Sequence, residues 1–408
     1  MASILFYTSP ARGHLFPVLG AAIELRSRGH EIHVRTLASE VERVRSLGMN
    51  TEPIAQKVES REMDDWKGNS PVQAVELAIK TFCDRSAPEV DDVQQAIKKS
   101  AADVLVVDTN SWGAQAVAES SGLPWAVFQP YFTFLSAPGV PPFGPGFARM
   151  NGVIGEIRNK IVGKILFSKL NKIALPELNK TRFRLGLESF TSIEEMILRP
   201  PRLIYFTTKA LEYPRENWPE NFRFVGPGLW SPDAEPPAWL EETGRPIVLV
   251  TCSTELQKDR PIVEVALQTL PEKGFFVVAT SAAYSPEELE ATAVPNTRIE
   301  RFIPHDPVVE RAAVVICHGG MGIIQRALSH GVPVVVIPFG RDQLEVARRV
   351  EFAKVGVRLL PKNLNSKTLN NAVQQALKMK EKAELMAREM DAFGGSSLAA
   401  DTIEELLN

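Results

Sequence analysis

A histidine followed by a run of glycines marks the segment of the chain with the clearest chemistry. Residues 312–316 are apolar and rich in β-branched side chains, which is typical of a buried parallel strand, and His318 follows closely. Residues 319–322 read Gly-Gly-Met-Gly, and apolar residues then recur at helical spacing until Gly331 and Pro333. Because glycines let an anion approach the unpaired N–H groups and positive dipole end of a helix N-terminus, the pattern predicts a phosphate site.

Two polar residues, Asp342 and Gln343, follow the next predicted strand, which spans residues 334–337. The carboxyl ends of neighbouring parallel strands meet at one edge of a sheet, so we expect these side chains and His318 on the same rim. A ring N–H of His318 suits a phosphate, whereas carboxylate and amide groups suit sugar hydroxyls. The combination points to a nucleotide sugar as the ligand.

This segment resembles the donor-binding signature of the family 1 glycosyltransferases, which have the GT-B fold and include UDP-sugar transferases and bacterial natural-product transferases. The resemblance rests on three motifs in the family's order and spacing: Phe-Ile-Pro-His at residues 302–305, His-x-Gly-x-Gly at 318–322, and Asp-Gln at 342–343. It implies a site for the sugar donor. The residues of that site are Thr254, Phe302, Ile303, His305, His318, Gly320, Met321, Gly322, Ile323, Asp342 and Gln343.

Four positions in or near these motifs differ from the family's usual residues. Phe302 and His305 stand where many members have tryptophan and glutamine, and a phenylalanine still offers a π-face for stacking on a base. Arg326 stands where the family's glutamate holds the ribose hydroxyls, and an arginine can instead reach a phosphate or an acidic neighbour. Ser253 replaces a glycine in the turn that carries Thr254. The resemblance therefore defines the diphosphate contacts more closely than the nucleoside contacts.

The composition favours a two-domain protein and argues against nucleic-acid binding. The chain has 408 residues, enough for two domains of roughly 200 residues each. Lysine and arginine total 46 against 49 acidic residues, a formal charge of -3, so no basic field exists to attract nucleic acid. The three cysteines, Cys83, Cys252 and Cys317, show no Cys-x-x-Cys spacing, which argues against a disulfide framework or a zinc cluster.

The sequence also indicates the cellular compartment of the protein. The first predicted strand begins at residue 4, without the basic region or cleavage site of a signal peptide. Residues 120–148 carry no charge, but prolines interrupt them repeatedly, so we expect no membrane-spanning helix there. Together with the cysteine usage, these features predict a cytoplasmic protein without stable membrane insertion.

The two halves of the chain follow the same plan. Residues 3–34 and 246–279 each read as strand, polar loop, helix and strand. Residues 104–128 and 314–338 repeat a further unit of strand, loop, helix and strand. The sequence therefore predicts an α/β protein with two doubly wound, Rossmann-like domains.

A proline-rich stretch separates these halves. We assign residues 1–215 to an N-terminal, acceptor-binding domain, 216–238 to a linker, and 239–392 to a C-terminal domain that binds the nucleotide sugar. The resemblance implies the GT-B arrangement, in which the two domains face each other across a cleft. It also implies that the terminal helix, about residues 393–408, crosses back onto the N-terminal domain.

His14 is the candidate general base. It ends the loop after the first strand, and Pro17 behind it suits the first turn of a helix. The positive end of that helix disfavours protonation, so we expect a neutral imidazole at pH 7. A capping or packing role explains the position equally well from spacing alone. The resemblance favours catalysis, because Arg12-Gly13-His14 matches the base position of the family's opening loop.

Asp108 is the candidate partner of that base. It stands at the carboxyl end of the apolar residues 104–107, on a strand expected beside the first. A buried carboxylate fixes one imidazole nitrogen and balances the charge that develops on the ring, although an aspartate here can also simply cap a helix. The family's aspartate maps onto this residue, in a context that includes Trp112.

The resemblance implies an inverting transfer of a sugar from a UDP- or TDP-sugar to a hydroxyl group, with the base and the leaving group on opposite sides of the anomeric carbon. No Asp-x-Asp pair occurs in a metal-binding context, and a helix dipole with a histidine can stabilise the diphosphate. We therefore expect catalysis without a metal or other cofactor. Two alternatives stay open: a nucleotide-sugar epimerase of the same fold, and a catalytically inactive nucleotide-sugar-binding protein.

Aromatic residues crowd the irregular segment after Pro124. Phe132, Phe134 and Phe143 lie in this uncharged stretch, and a more amphipathic stretch follows from residue 154 to 175. Aromatic residues in such a loop are typical of an apolar pocket, although core packing explains most of them as well. The family has its variable acceptor loops here, which implies a small hydrophobic acceptor.

Overall fold

The computed structural model describes residues 1–68, 70–232, 235–241, 243–255, 257–290 and 294–407. The remaining positions, including 233–234 of the predicted linker and 408 at the end of the predicted terminal helix, lie outside the described residues. The described residues form two parallel β-sheets with helices on both faces, which confirms the predicted fold class.

The first sheet has seven strands in the order β3-β2-β1-β4-β5-β6-β7. Its strands are β1 (Ser3–Tyr7), β2 (Glu31–Thr36), β3 (Asn50–Pro53), β4 (Val104–Asp108), β5 (Trp125–Gln129), β6 (Arg202–Tyr205) and β7 (Phe222–Phe224). Every residue of β4 and β5 is buried, as expected for strands covered on both faces. The order reverses between β1 and β4, and this is where a doubly wound sheet opens a ligand crevice.

The second sheet has six strands in the order β10-β9-β8-β11-β12-β13. Its strands are β8 (Ile247–Thr251), β9 (Phe276–Thr280), β10 (Thr297–Glu300), β11 (Ala312–Cys317), β12 (Val334–Val336) and β13 (Gly356–Arg358). The order reverses between β8 and β11, so these two strands correspond to β1 and β4 of the first sheet.

Helices cover both sheets. They are α1 (Arg12–Ser27), α2 (Val41–Ser46), α3 (Gln56–Glu59), α4 (Pro71–Ser100), α5 (Trp112–Ser120), α6 (Gly152–Arg184), α7 (Glu195–Leu198), α8 (Pro261–Thr269), α9 (Pro286–Glu290), α10 (His305–Val309), α11 (Met321–Ser329), α12 (Gln343–Ala353), α13 (Ser366–Leu377), α14 (Lys380–Asp391) and α15 (Ser396–Glu404). The predicted strand, glycine loop, helix and strand are β11, α11 and β12. Among the described residues, no helix is long and apolar enough to cross a membrane.

The C-terminal helix returns to the first half of the chain. Gly394 and Gly395 have φ of +87° and +52°, a conformation that favours glycine, and they separate α14 from α15. Helix α15 then packs against α1. Arg28 at the end of α1 donates to Asp401 and Glu404 at 2.6 Å each, which ties the two helices together.

Charged side chains also join the two halves across the cleft. Arg341, which follows β12, donates to both carboxylate oxygens of Asp65 in the first half, at 2.7 and 2.9 Å. Glu345 on α12 accepts from the backbone N–H groups of Gly144 and Gly146, at 3.0 and 2.9 Å. These contacts hold the carboxyl edges of the two sheets opposite each other.

Candidate active site

Parallel pairing of β1 with β4 brings His14 and Asp108 together. Asp108 ends β4, and His14 lies in the first turn of α1, which follows β1. The His14 Nδ1 atom lies 2.9 Å from Asp108 Oδ2 and 3.0 Å from Oδ1. Because an ionised carboxylate only accepts, Nδ1 carries the proton and Nε2 is left as the acceptor.

The Asp108 carboxylate is fully buried and held by the backbone. It accepts from the N–H of Ser9 at 3.0 Å and from the N–H of Asn110 at 2.8 Å. The His14 side chain retains 17% exposure. A fixed carboxylate therefore orients an imidazole that solvent or a ligand can still reach.

Two neighbours of this pair were not identified in the sequence. Asn110 Nδ2 donates to His14 Nε2 at 3.3 Å, and the Tyr131 hydroxyl donates to Asn110 Oδ1 at 2.7 Å. The ring of Tyr131 meets the His14 imidazole edge to face, with centroids 5.9 Å apart. The spacing Asp108-Thr-Asn is a turn signal that predicts backbone capping, but it does not predict that the amide reaches a histidine from another element.

Opposing effects act on the pKa of His14. Burial lowers it, but the Asp108 carboxylate, with smaller contributions from Glu255 and Asp342, outweighs burial and raises the pKa above the ordinary 6.5. The prediction that the helix N-terminus lowers the pKa of His14 is therefore wrong in direction. The contribution of Asp342 and Glu255, both from the second half, also means that His14 faces that half of the chain.

The glycine loop after β11 brings its backbone close to the His318 ring. Gly319 has φ of +103°, which favours glycine, and a Cβ on Gly320 would lie 2.7 Å from His318 Nε2. A Cβ on Gly322 would meet no atom within 4 Å, so the N-terminus of α11 borders open space there. Burial lowers the pKa of His318, so the ring is neutral and donates one N–H.

A second turn stands beside this loop, after β8. Asp259 is fully buried and accepts from the N–H of Ser253 at 2.6 Å and from the Tyr284 hydroxyl at 2.9 Å. These bonds fix the turn and leave Thr254 exposed. Asp259 Oδ2 also lies 3.9 Å from His318 Nδ1, which gives the histidine a nearby carboxylate.

The Phe302 segment divides into an exposed and a buried part. Phe302 is 61% exposed, whereas Ile303 behind it is buried. His305 begins α10, where burial and the neighbouring Arg326 guanidinium lower its pKa to about 4. Phe302 therefore has a ring face available for stacking, whereas Ile303 serves the core.

Comparison with known proteins identifies the family of the chain. Residues 269–405 match the family model described as "Erythromycin biosynthesis protein CIII-like, C-terminal domain". The chain is also similar to 4'-demethylrebeccamycin synthase of Lentzea aerocolonigenes, with 30% identity over 422 residues that cover 99% of this chain and 98% of the relative. The chain belongs to the family 1 glycosyltransferases. It is a glycosyltransferase of the natural-product type, so the epimerase and inactive-protein alternatives are set aside.

Solved structures support the same fold. The calicheamicin glycosyltransferase superimposes with a TM-score of 0.76 at 21% identity, covering 100% of this chain and 98% of that one. A glycosyltransferase of Streptomyces sp. SF2575, solved with thymidine diphosphate, gives a TM-score of 0.70 at 19% identity and covers 99% of this chain and 100% of that one. At such identities the likeness establishes the GT-B fold of this glycosyltransferase.

Gln343 does not reach the cleft of the glycosyltransferase, which corrects its assignment to sugar binding. It is 1% exposed, and its Oε1 atom accepts from the N–H groups of Phe339 and Gly340 at 2.8 and 3.2 Å. Its amide nitrogen donates to Gln257. The side chain is thus used to hold two loops together, whereas neighbouring Asp342 is only partly buried, with its pKa raised by burial.

Arg326, at the position of the family's ribose-binding glutamate, bonds within the protein. Its guanidinium pairs with Asp306 and donates to the carbonyls of Leu229 and Trp230 at 3.1 and 3.2 Å. It therefore reaches an acidic neighbour, one of the two possibilities that the sequence left open. Its contacts join α11 to the connection between the two halves of the glycosyltransferase.

Of the three predicted acceptor phenylalanines, Phe132 is corrected, whereas Phe134 and Phe143 stay predictions. Phe132 is fully buried beneath the Arg349 guanidinium, whose carbon lies 4.4 Å from the ring centroid. Phe134 and Phe143 are partly buried and pack against a hydrophobic core. In the glycosyltransferase the loop that carries them contacts α12 of the second half through Glu345, and only the Phe132 ring is fully enclosed.

A different aromatic residue lies at an open cavity between the halves. This cavity is open to solvent and is lined by Asp65, Trp66, Gly68, Ser70, Ala74, Gln257, Lys258, Phe339 and Gly340. Trp66 is 37% exposed there. Its sequence signal was an isolated tryptophan among the charged residues 64–67, where a buried core position is not expected.

Proposed function

We propose that this glycosyltransferase moves a sugar from a UDP- or TDP-sugar to a hydroxyl group of a small hydrophobic acceptor, by one inverting displacement that requires no metal ion. The observation that carries the proposal is the buried Asp108 carboxylate fixing His14 at the edge of one sheet, within electrostatic reach of Asp342 from the other. The thymidine diphosphate complex of the Streptomyces neighbour supports TDP as one nucleotide to test.

In the proposed reaction the acceptor hydroxyl gives its proton to His14 Nε2 as its oxygen attacks the anomeric carbon. The bond between that carbon and the diphosphate oxygen breaks, and the leaving electron pair goes to the diphosphate. Asp108 balances the charge on the imidazolium. The proton thus moves onto the first half of the chain, while the negative charge develops on the second.

His318 and the N–H groups at the start of α11 are proposed to hold the diphosphate. A neutral histidine donates one N–H, and the open space at Gly322 lets a phosphate oxygen approach the helix N-terminus. Exposed Thr254 can donate from the neighbouring turn, Phe302 can stack on the base, and Asp342 can accept from sugar hydroxyls.

We propose the cavity at Trp66 as the acceptor site in place of the buried Phe132. The cavity is lined by residues of both halves, so an acceptor held there lies in the cleft that also faces the proposed donor site. Trp66 is 37% exposed and can pack against an apolar ring system, and Lys258, whose ammonium lies 5.9 Å from the Trp66 ring centroid, can orient polar groups at its edge.

A panel of donors and acceptors tests this function. UDP- and TDP-sugars are incubated with apolar hydroxyl compounds, and products are detected as the mass of an added hexose or deoxyhexose. We expect one product and one released nucleoside diphosphate for each turnover. Donor binding without product for any acceptor, or an epimerised nucleotide sugar without acceptor, would reject the proposal.

The rate of transfer is expected to rise with pH until His14 is neutral. Since Asp108 raises the pKa of His14 above 6.5, kcat/KM should increase through an inflection above that value and then level off. In the Asp108→Asn variant burial dominates, so the inflection should move to lower pH. The measurement is kcat/KM against pH for both proteins, and an inflection that stays in place would contradict the assignment.

A further inference from the structure

Helix α6 carries a row of exposed isoleucines in its N-terminal half. Ile154, Ile157, Ile161 and Ile165 follow each other at intervals of three or four residues, so they lie on one face of the helix. Each is between 54% and 75% exposed. We refer to these four residues as the α6 stripe. Isolated exposed apolar residues are ordinary, but a contiguous row of this length marks an interaction site.

Basic residues flank this stripe on both sides. At about 100° per residue, Lys160 and Lys164 fall on one side of it and Arg158 and Lys169 on the other, while Lys172 continues its line about two turns beyond Ile165. This concentration contrasts with the chain as a whole, whose formal charge is -3.

Some of these charges are neutralised within the protein and others are not. Lys169 pairs with Glu76, and Arg158 donates to the carbonyl of Ala148 at 2.9 Å. In the part of the chain that the structure describes, Lys160, Lys164 and Lys172 have no ion pair, and all three are exposed. The face therefore presents an apolar row with free positive charge beside it.

We propose that this face docks on the surface of a bilayer containing anionic phospholipids. Helix α6 would lie parallel to the membrane, with the α6 stripe among the acyl chains and the lysines at the phosphate level. A second copy of the same face is a poorer partner, because it would bring like charges together. The docking is peripheral and reversible, because four isoleucines on one face of a helix insert only shallowly into a bilayer.

The chain connects this surface to the candidate active site. Tyr131 contacts His14, and the loop that follows it, residues 132–151, leads directly to the start of α6. Docking would bring that loop to the membrane, where a hydrophobic acceptor accumulates. This last step rests on the proposed function, whereas binding to lipid does not.

Vesicle sedimentation tests the docking without donor or acceptor. The full chain is mixed with vesicles of phosphatidylcholine alone or of phosphatidylcholine with phosphatidylglycerol, at low and high salt. We expect binding to the anionic vesicles that weakens with salt. Lys160→Gln/Lys164→Gln should reduce the partition coefficient by roughly 30-fold, at about 1 kcal/mol per basic residue. Ile157→Gln/Ile161→Gln should also reduce it.

Matched variants and an independent readout make the result decisive. Lys362→Gln/Lys367→Gln removes two exposed lysines of the second half and should leave vesicle binding unchanged. Equal binding to neutral and anionic vesicles, or equal loss in both lysine pairs, overturns the proposal. Light scattering gives a second test. The proposal is also overturned if the wild type is a dimer, the Ile157→Gln/Ile161→Gln variant is a monomer, and both bind vesicles equally. Glycosyl transfer in solution is measured separately, so its failure is distinguishable from failure to bind lipid.

Discussion

Replacement of His14 by alanine is expected to lower kcat by about 10²- to 10⁴-fold, the usual contribution of a positioned general base. The affinity for the nucleotide sugar should change little, because the groups proposed to hold the diphosphate come from the other half of the chain. The measurement combines steady-state turnover with a titration of UDP or TDP. The two readouts separate a catalytic role from a binding role.

A second histidine of the same half provides the control for this prediction. His33 lies in the interior of β2, away from the carboxyl edge of the sheet, and His33→Ala should keep its turnover. If His14→Ala turns over at the wild-type rate, His14 is not the base. If the His14→Ala variant loses nucleotide affinity in proportion to its loss of turnover, His14 acts in donor binding.

Replacement of Arg349 by methionine is expected to cost about 3–5 kcal/mol of unfolding free energy. The guanidinium is 2% exposed, lies 2.7 Å from Glu212 and 3.2 Å from Glu345, and rests against Phe132. Methionine fills much of the volume but leaves two buried carboxylates without their cation. Because Glu212 belongs to the first half and Glu345 to the second, one of the contacts between the halves is also lost.

Urea denaturation followed by tryptophan fluorescence measures this effect. Arg311→Met is the matched control, since this guanidinium is 38% exposed and pairs with Glu241 of the same half, which is 74% exposed. Exposed pairs contribute about 0–1 kcal/mol, so the control should stay near the wild type. Equal stability of the two variants would show that the buried charges are not what holds the halves together.

The sequence was most informative where function depends on position along a strand. His14, Asp108 and His318 each stand at or just beyond the carboxyl end of an apolar strand, or in the turn that follows it. In a doubly wound sheet such ends converge at the reversal of strand order, so local pattern already implies proximity. The fold class followed from the same repeated units.

The misassigned side chains depend on packing between distant segments. Gln343 follows β12 as predicted, but its direction is set by Gln257, which is far away in sequence. Phe132 is covered by Arg349 from the other half, a contact that no local pattern encodes. The direction of the His14 pKa shift was also missed, because it depends on the Asp108 carboxylate at 2.9 Å, which outweighs the lowering by burial.

The central claim is that transfer is a single displacement between His14 on one wall of the cleft and the diphosphate site on the other. The configuration of the new glycosidic bond tests this most directly, since it reports the side from which the acceptor attacks. NMR of the product, through the coupling of its anomeric proton, gives the configuration. The account predicts that it is inverted relative to the donor, and a retained configuration would contradict it.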